Sequence, residues 1–341
     1  MLTRTASAFF IPQDSLLWTL KARDYSHFWQ QTHVELRSNV TCAHALREMA
    51  SADTEIHAVM VFESTGAALE VRVYSGLLST GNFLHFFLHF LPPKPTNFHV
   101  ERAIRKFGAS TLRDVLLFNG KMHRFQCIDE DEAFFNVLLR FARGAESVAV
   151  VVADAMEHPN SLLLGNFTVL NLLEWVEEDL TLFNGKEFHA LRAFPSYFYA
   201  PASVNATLTS VCDGFASMSE RGLAEILVTF KDNSASKVLS INAFRDFFTQ
   251  SYDIWAEVVE KESTLSPLLC ALGEITRELP TSRFVSPKSS IASVIREMVD
   301  ARCTRVFIRK EGGAVVGVMR ATDIFLLLLK EQHASSAHGA K

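Results

Sequence analysis

The chain has 341 residues, 48% of them hydrophobic and 21% charged, and carries a formal net charge of −5 at pH 7. That length is generous for one core and comfortable for two domains, and the composition is that of a globular chain rather than a disordered one. The acidic balance, with no block of Lys or Arg, argues against general nucleic-acid binding.

The N-terminal 38 residues hold Phe9, Phe10, Leu16, Leu17, Trp18, Phe28 and Trp29. This is too apolar for a loose tail, so residues 1–38 are expected to dock as a helix or a partner-binding arm. A helix is expected near Ala43–Met49, a strand over His57–Phe62, a loop at Thr65-Gly66, a strand over Leu69–Tyr74 and a helix from near Asn82. The order recurs with a helix over Glu132–Phe141, a strand over Ser147–Val152, a loop at Pro159-Asn160, a strand over Leu162–Phe167 and a helix after Asn171. A third round places a helix over Thr207–Phe215, a strand over Glu225–Phe230 and a polar turn over Asp232–Ser236. It closes on Val238-Leu239 and a helix from about Ala243. In the last round Ile291, Val294, Ile295, Met298 and Val299 fall at i, i+3, i+4, i+7 and i+8, as an amphipathic helix requires. Strands follow over Arg305–Arg309 and Ala314–Met319, separated by Glu311-Gly312-Gly313, and a helix opens at Thr322-Asp323. The end after Gln332 is expected to fray. Self-comparison adds one literal repeat, since Leu117-Phe118-Asn119-Gly120-Lys121 returns as Leu182-Phe183-Asn184-Gly185-Lys186, 65 positions later.

The last round, with Gly317 in its second strand and Asp323 opening its final helix, resembles a cystathionine-β-synthase (CBS) motif. Four such rounds in a chain of this length resemble the gamma regulatory subunit family of AMP-activated protein kinase, over about Asn39 to Glu331. The resemblance implies an α/β (α+β) fold of four CBS repeats paired into two Bateman modules. Residues 39–180 would form the first module, with repeats at about 39–92 and 108–180. Residues 181–332 would form the second, with repeats at about 190–252 and 275–332, leaving 333–341 as a flexible tail. It further implies a non-catalytic regulatory subunit that senses AMP, ADP or ATP, requires no other cofactor, and partners an alpha-like kinase catalytic chain and a beta-like scaffold. Its expected location is cytoplasmic, with a nuclear address left open.

In this family an Asp at the start of each repeat's last helix holds the ribose hydroxyls, usually within Ser/Thr-x-x-Asp. A carboxylate suits a vicinal diol because it accepts both hydroxyl hydrogens, while phosphates call for basic side chains. Only the fourth repeat keeps the Asp. Arg320-Ala321-Thr322-Asp323 matches the motif with Arg320 in place of Ser or Thr, and Thr304-Arg305 matches the family's His-Arg phosphate pair with the His lost. Asp323 is read either as a ribose ligand or as a helix cap worth ~1 kcal/mol, and Arg305 either as a phosphate ligand or as an ordinary surface charge. Ser79-Thr80-Gly81-Asn82 and Thr168-Val169-Leu170-Asn171 put Asn at the key position, which weakens the contact, and Ser240-Ile241-Asn242-Ala243 removes it. Ser79, Asn82, Thr168 and Asn171 therefore remain candidate ligands of weaker sites. The first strands of these repeats offer His57, Ser147-Val148 and Glu225 rather than a basic cluster, and Glu225 would repel a phosphate if it faced the cleft.

No GxSxG elbow, HExxH helix, Walker loop or GxGxxG fingerprint is present. His85 and His89 stand at i, i+4 but sit among Phe83, Phe86, Phe87 and Phe90, so structural histidines are expected rather than metal ligands. The acidic runs Asp129–Glu132 and Glu174–Asp179 read as a helix start and a solvated face. Cys42, Cys127, Cys212, Cys270 and Cys303 stand singly with no CxxC pair, which points to reduced thiols in an intracellular protein. The uninterrupted apolar runs 148–153 and 324–329 are far short of the roughly 20 residues a spanning helix needs. Twenty-eight Phe residues imply large buried cores, an exposed docking surface, or both. The competing expectation is a degenerate CBS scaffold that no longer binds nucleotide and works through such aromatics.

Overall fold

A computed structural model describes residues 16–29, 34–51, 58–65, 71–118, 127–145, 147–152, 163–183, 186–191, 202–221, 223–230, 237–257, 267–272, 274 and 281–339. His57, the loop dipeptides Pro159-Asn160, Asn119-Gly120 and Asn184-Gly185, and the turn 232–236 lie outside them, as do Phe9 and Phe10.

In chain order, a short helix α1 (Leu16–Thr19) leads through a 3-10 segment (Ala22–Phe28) to the first repeat: β1 (Val34–Arg37), α2 (Cys42–Ser51), β2 (Ala58–Thr65), β3 (Val71–Ser79) and α3 (Thr80–Leu88). Helices α4 (Asn97–Ala109) and α5 (Leu112–Phe118) follow. The second repeat comprises β4 (Cys127–Asp129), α6 (Phe134–Ala142), β5 (Ser147–Val151), β6 (Leu163–Thr168) and α7 (Val169–Glu178). The third is built from β7 (Ser203–Asn205), α8 (Val211–Arg221), β8 (Glu225–Thr229), β9 (Lys237–Ser240) and α9 (Ile241–Glu257). The fourth holds β10 (Phe284–Val285), α10 (Ile291–Asp300), β11 (Arg305–Arg309), β12 (Val315–Arg320) and α11 (Ala321–Gly339). Helix α11 thus continues beyond Gln332, where the sequence suggests fraying; no Pro or Gly interrupts 331–338.

Each repeat forms one three-stranded sheet, in which the first strand runs parallel to the second and the second antiparallel to the third. The leading strands β1, β4, β7 and β10 are two to four residues long and escape a periodicity reading. In three repeats the hairpin carries a bulge beside a glycine, with Val61 opposite Gly76, Val150 opposite Gly165 and Ile308 opposite Gly317.

The described residues gather into two compact units, one made of Met1–Gln31, Gln126–Ala200 and Arg283–Lys341, the other of Thr32–Phe125 and Pro201–Ser282. The first therefore holds repeats 2 and 4, the second repeats 1 and 3. In the first unit α6 packs on α11 and α7 on α10, with Phe141 edge-on to Phe325 at 6.2 Å between ring centres. In the second α2 and α3 pack on α9 and α8, around Phe83, Phe87, Phe107, Phe215 and Phe244, all nearly inaccessible to solvent. Most of the Phe excess is thus core: among the described residues only Phe98 and Phe188 are strongly exposed.

Each repeat's first helix is capped by a segment that precedes a different repeat. Leu20–Arg23, ahead of repeat 1, docks on repeat 2, with the Ala22 N–H donating to the Glu132 carbonyl (3.0 Å) and the Phe134 N–H to that of Leu20 (2.9 Å). Reciprocally, Ser110–Arg113, ahead of repeat 2, docks on repeat 1, with the Cys42 N–H on Ser110 (2.8 Å) and the Leu112 N–H on Val40 (2.9 Å). The Leu191 N–H, ahead of repeat 3, donates to Ser289 of repeat 4 (2.8 Å), while the Val211 N–H of repeat 3 donates to Cys270, ahead of repeat 4 (3.0 Å). The leading segments are exchanged between repeats 1 and 2, and again between 3 and 4. The N-terminal arm accordingly docks onto the second repeat, where Leu17, Ala22 and Phe28 join the core and Tyr25 lies 4.2 Å from the Phe134 ring centre.

Candidate functional site

The four repeats share one strand register at the junction of third strand and last helix. Cross-strand partners Ala58–Ser79, Ser147–Thr168, Glu225–Ser240 and Arg305–Arg320 are equivalent. Three residues after the second member of each pair stand Asn82, Asn171, Ala243 and Asp323, in the first turn of α3, α7, α9 and α11. A helix start leaves backbone N–H groups unpaired, and the side chains here supply acceptors.

In repeat 1 the Ser79 N–H and hydroxyl both donate to Asn82 Oδ1, at 2.8 and 3.1 Å. In repeat 2 the Thr168 N–H and hydroxyl donate to Asn171 Oδ1 at 3.2 and 2.7 Å, and the Asn171 N–H returns a bond to Thr168 Oγ1 at 3.3 Å. These are capping boxes. Since the backbone N–H fixes which amide atom faces inward, Asn171 turns its NH2, a donor, the other way. A ribose diol would meet a donor there rather than the double acceptor a carboxylate provides. In repeat 3 only the Ala243 N–H bond to Ser240 Oγ (3.2 Å) remains, and Ala243 offers nothing to a ligand.

Repeat 4 keeps the geometry with different chemistry. The Asp323 side chain is 1% exposed, and its carboxylate accepts three N–H groups from one residue: the Arg320 backbone N–H and Nε at Oδ2 (3.1 and 3.0 Å) and Nη2 at Oδ1 (2.8 Å). The carboxylate thus caps α11, as one of its two readings expects, and is also clasped by a two-pronged guanidinium. Arg320 occupies the cap position where the other repeats have Ser or Thr. Its side chain is 37% exposed, so the guanidinium pairs with the buried carboxylate from the solvent side. Arg305 stands directly opposite Arg320 on the neighbouring strand, so two cations share one sheet face beside one buried carboxylate. The Thr304 carbonyl accepts the first N–H of α11, that of Ala321, at 2.8 Å, which ties this corner together. Thr322 is half-buried in the same turn. Thr304, Arg305, Arg320, Thr322 and Asp323 are therefore brought to one place, and Thr168 with Asn171 to the matching corner of repeat 2.

Two groups escape the sequence reading. Asn166 is 7% exposed, donates from Nδ2 to Ser147 Oγ at 2.9 Å, and has no partner for its Oδ1 among the described residues. With Ser147 and Thr168 it makes a buried polar stripe on the sheet of repeat 2, and the only signal was an Asn inside an otherwise apolar strand. The second is Arg309, whose guanidinium lies 3.3 Å from the Phe284 ring centre.

For other chemistry the described residues offer little. No group of three His, Cys, Asp or Glu among them is placed to hold a metal ion. His85 Nδ1 lies 2.9 Å from Ser219 Oγ, but no carboxylate orients that imidazole among the described residues, and His89 rests against Phe118 with ring centres 4.6 Å apart. No helix among the described residues is long and apolar enough to cross a membrane.

The fold has solved counterparts. A protein of Methanocaldococcus jannaschii, proposed to be an archaeal homologue of g-AMPK, is 10% identical and superposes with a TM-score of 0.65 over 88% of this chain and 98% of its own. The CBS domain of a bacterial CNNM/CorC family Mg2+ transporter is 14% identical with a TM-score of 0.32, over 46% and 92% of the two chains. CBSX2, solved in complex with AMP, is 12% identical with a TM-score of 0.30, over 42% and 98%. No family model and no curated protein matches the sequence. The fold is that of a CBS-repeat protein resembling the kinase gamma subunit.

Proposed function

We propose that this CBS-repeat chain is a non-catalytic regulatory subunit that takes up one adenine nucleotide in its fourth repeat. The observation that carries this reading is the junction of a buried carboxylate, Asp323, with two arginines, Arg320 and Arg305, facing each other across adjacent strands. A nucleoside phosphate supplies a replacement partner for each half of the Arg320–Asp323 pair. Its ribose hydroxyls donate to Asp323 in place of the guanidinium, and its phosphate draws Arg320, with Arg305, away from it. Adenosine can meet only the first demand, so the site would favour a phosphorylated ligand. Repeats 1 and 2, with Asn82 and Asn171, would bind more weakly, and repeat 3 not at all. The exchange of leading segments supports the pairing of repeats 1 with 2 and 3 with 4 into two modules.

Regulation then follows from linkage: a nucleotide that binds one conformation better shifts the surface seen by a partner. The gamma-like fold makes a kinase catalytic chain with a beta-like scaffold the partner of choice. Thermal denaturation with AMP, ADP and ATP tests the site. A rise in Tm that grows with nucleotide concentration supports it, since binding to the folded state alone stabilises by RT ln(1 + [L]/Kd). Recovery of the native protein without a kinase would count against the partner.

A second reading has its own observation. Arg320 already satisfies Asp323, and the other three repeats lack the carboxylate, as a scaffold with closed pockets would. No change in Tm with any adenine nucleotide would favour it.

A further inference from the structure

Helices α4 and α5 lie outside the repeat pattern and carry a surface that is both apolar and basic. Four large apolar side chains are strongly exposed among the described residues, and two of them, Phe98 (67%) and Leu117 (61%), are on these helices. The solvent side of α4 and α5 also presents Arg102, Arg105, Lys106 and Arg113, in a chain whose net charge is −5. Among the described residues none of these four is in an ion pair; Lys106 instead caps the Phe90 ring, 4.7 Å from its centre. Of the two acids on these helices, Asp114 is occupied by the Thr111 N–H and hydroxyl, both at 2.8 Å, which leaves Glu101 beside the four cations. Where α3, α4 and α5 converge lies an open depression of about 450 Å³, lined by Phe86, Phe90, Leu117 and Phe118, with Lys106 and the hydroxyl-bound Asp114 as its charged groups.

We infer that this face docks an acidic segment of a partner protein that carries a bulky apolar side chain. An aromatic-floored hollow takes one anchor, as interface hot spots do, while Lys106 in its lining and Arg102, Arg105 and Arg113 on the exposed surface of α4 and α5 select carboxylates and exclude basic competitors. Phe98, eight residues or ~12 Å back along α4, gives the segment a second apolar rung. The inference goes beyond the nucleotide site, involves none of its residues, and stands or falls separately from it.

The test is fluorescence anisotropy of the full chain with a labelled synthetic helix bearing glutamates on one face and leucine and tryptophan on the other. Saturable binding is expected, weakened about tenfold or more by Arg105→Glu with Lys106→Glu, and comparably by Leu117→Asp. All three positions are exposed, so folding is preserved, and circular dichroism checks it. The same helix with lysine for glutamate should not bind. Absence of binding, or equal binding by wild type and variants, overturns the inference. So does binding to phosphatidylserine vesicles without binding to the helix, which would make the face a lipid contact. Self-association abolished by the same substitutions would place a second copy there and equally overturn it.

Discussion

Arg320 closes on Asp323 with two side-chain N–H groups, at 3.0 and 2.8 Å, three positions apart in the turn where the other three repeats carry a neutral cap residue. The pair makes one carboxylate serve both as helix cap and as guanidinium receptor. Asp323→Ala removes both roles and leaves the Arg320 guanidinium beside a buried void, which should cost about 2 kcal/mol in urea denaturation. Asp323→Asn keeps an acceptor for the Arg320 backbone N–H and should cost about half as much.

Selectivity for phosphate follows from the same pair. Wild type should bind adenosine at least tenfold more weakly than AMP, because adenosine releases Asp323 without giving Arg320 a new anion. Arg320→Ser restores the residue type that precedes the acid in related repeats and should tighten adenosine while loosening AMP, which narrows the gap. Competition binding with the two ligands measures it; an unchanged ratio would show that Arg320 is not the group exchanged.

In the unit of repeats 1 and 3, Phe107 of α4 is fully buried among Phe83, Phe86, Phe87, Phe244 and Phe248, the last at 4.8 Å. Truncating it removes a ring that five others touch, in a core unable to collapse around the void. Phe107→Ala should cost about 3–5 kcal/mol in denaturant midpoint analysis. A loss under about 1 kcal/mol would mean that α4 is not part of the core.

Two buried thiols give the chain an alkaline limit. Burial, reinforced by Asp213, pushes the Cys212 thiol up to about 12 from its ordinary 9.0, and burial with Asp114 nearby pushes Cys42 up further. Both folded values lie above the unfolded one. Their contribution to stability is therefore complete below pH 9.0 and is lost as pH rises toward the folded values. Between pH 9.0 and those folded values stability should fall by up to about 1.4 kcal/mol per pH unit for each thiol. Equilibrium denaturation near neutral and alkaline pH should show the slope, and Cys42→Ala with Cys212→Ala should flatten it.

The repeated helix–strand–strand–helix order was legible because four copies of one hydrophobic pattern reinforce each other. Local signals failed where tertiary pairing overrides them. The strand expected to end at Tyr74 runs on to Ser79 in β3, because Val61 pairs with Gly76 and the bulge lets Ser75 donate to the Val61 carbonyl (3.2 Å). Helices α4 and α5 had no counterpart in the repeat template, and the four leading strands were too short for any period. The position of Asp323 was readable from its place at a helix start. The bond from Arg320 was not, because Arg is not a favoured cap residue and the contact depends on a side-chain conformation.

The central claim is that the fourth repeat binds an adenine nucleotide through Asp323. Calorimetric titration of AMP into the full chain and into Asp323→Ala tests it most directly, with circular dichroism confirming that the variant is folded. Saturable heat from one site in the wild type, lost in the variant, is the expected result. No heat in the wild type, or the same heat in both proteins, would contradict it.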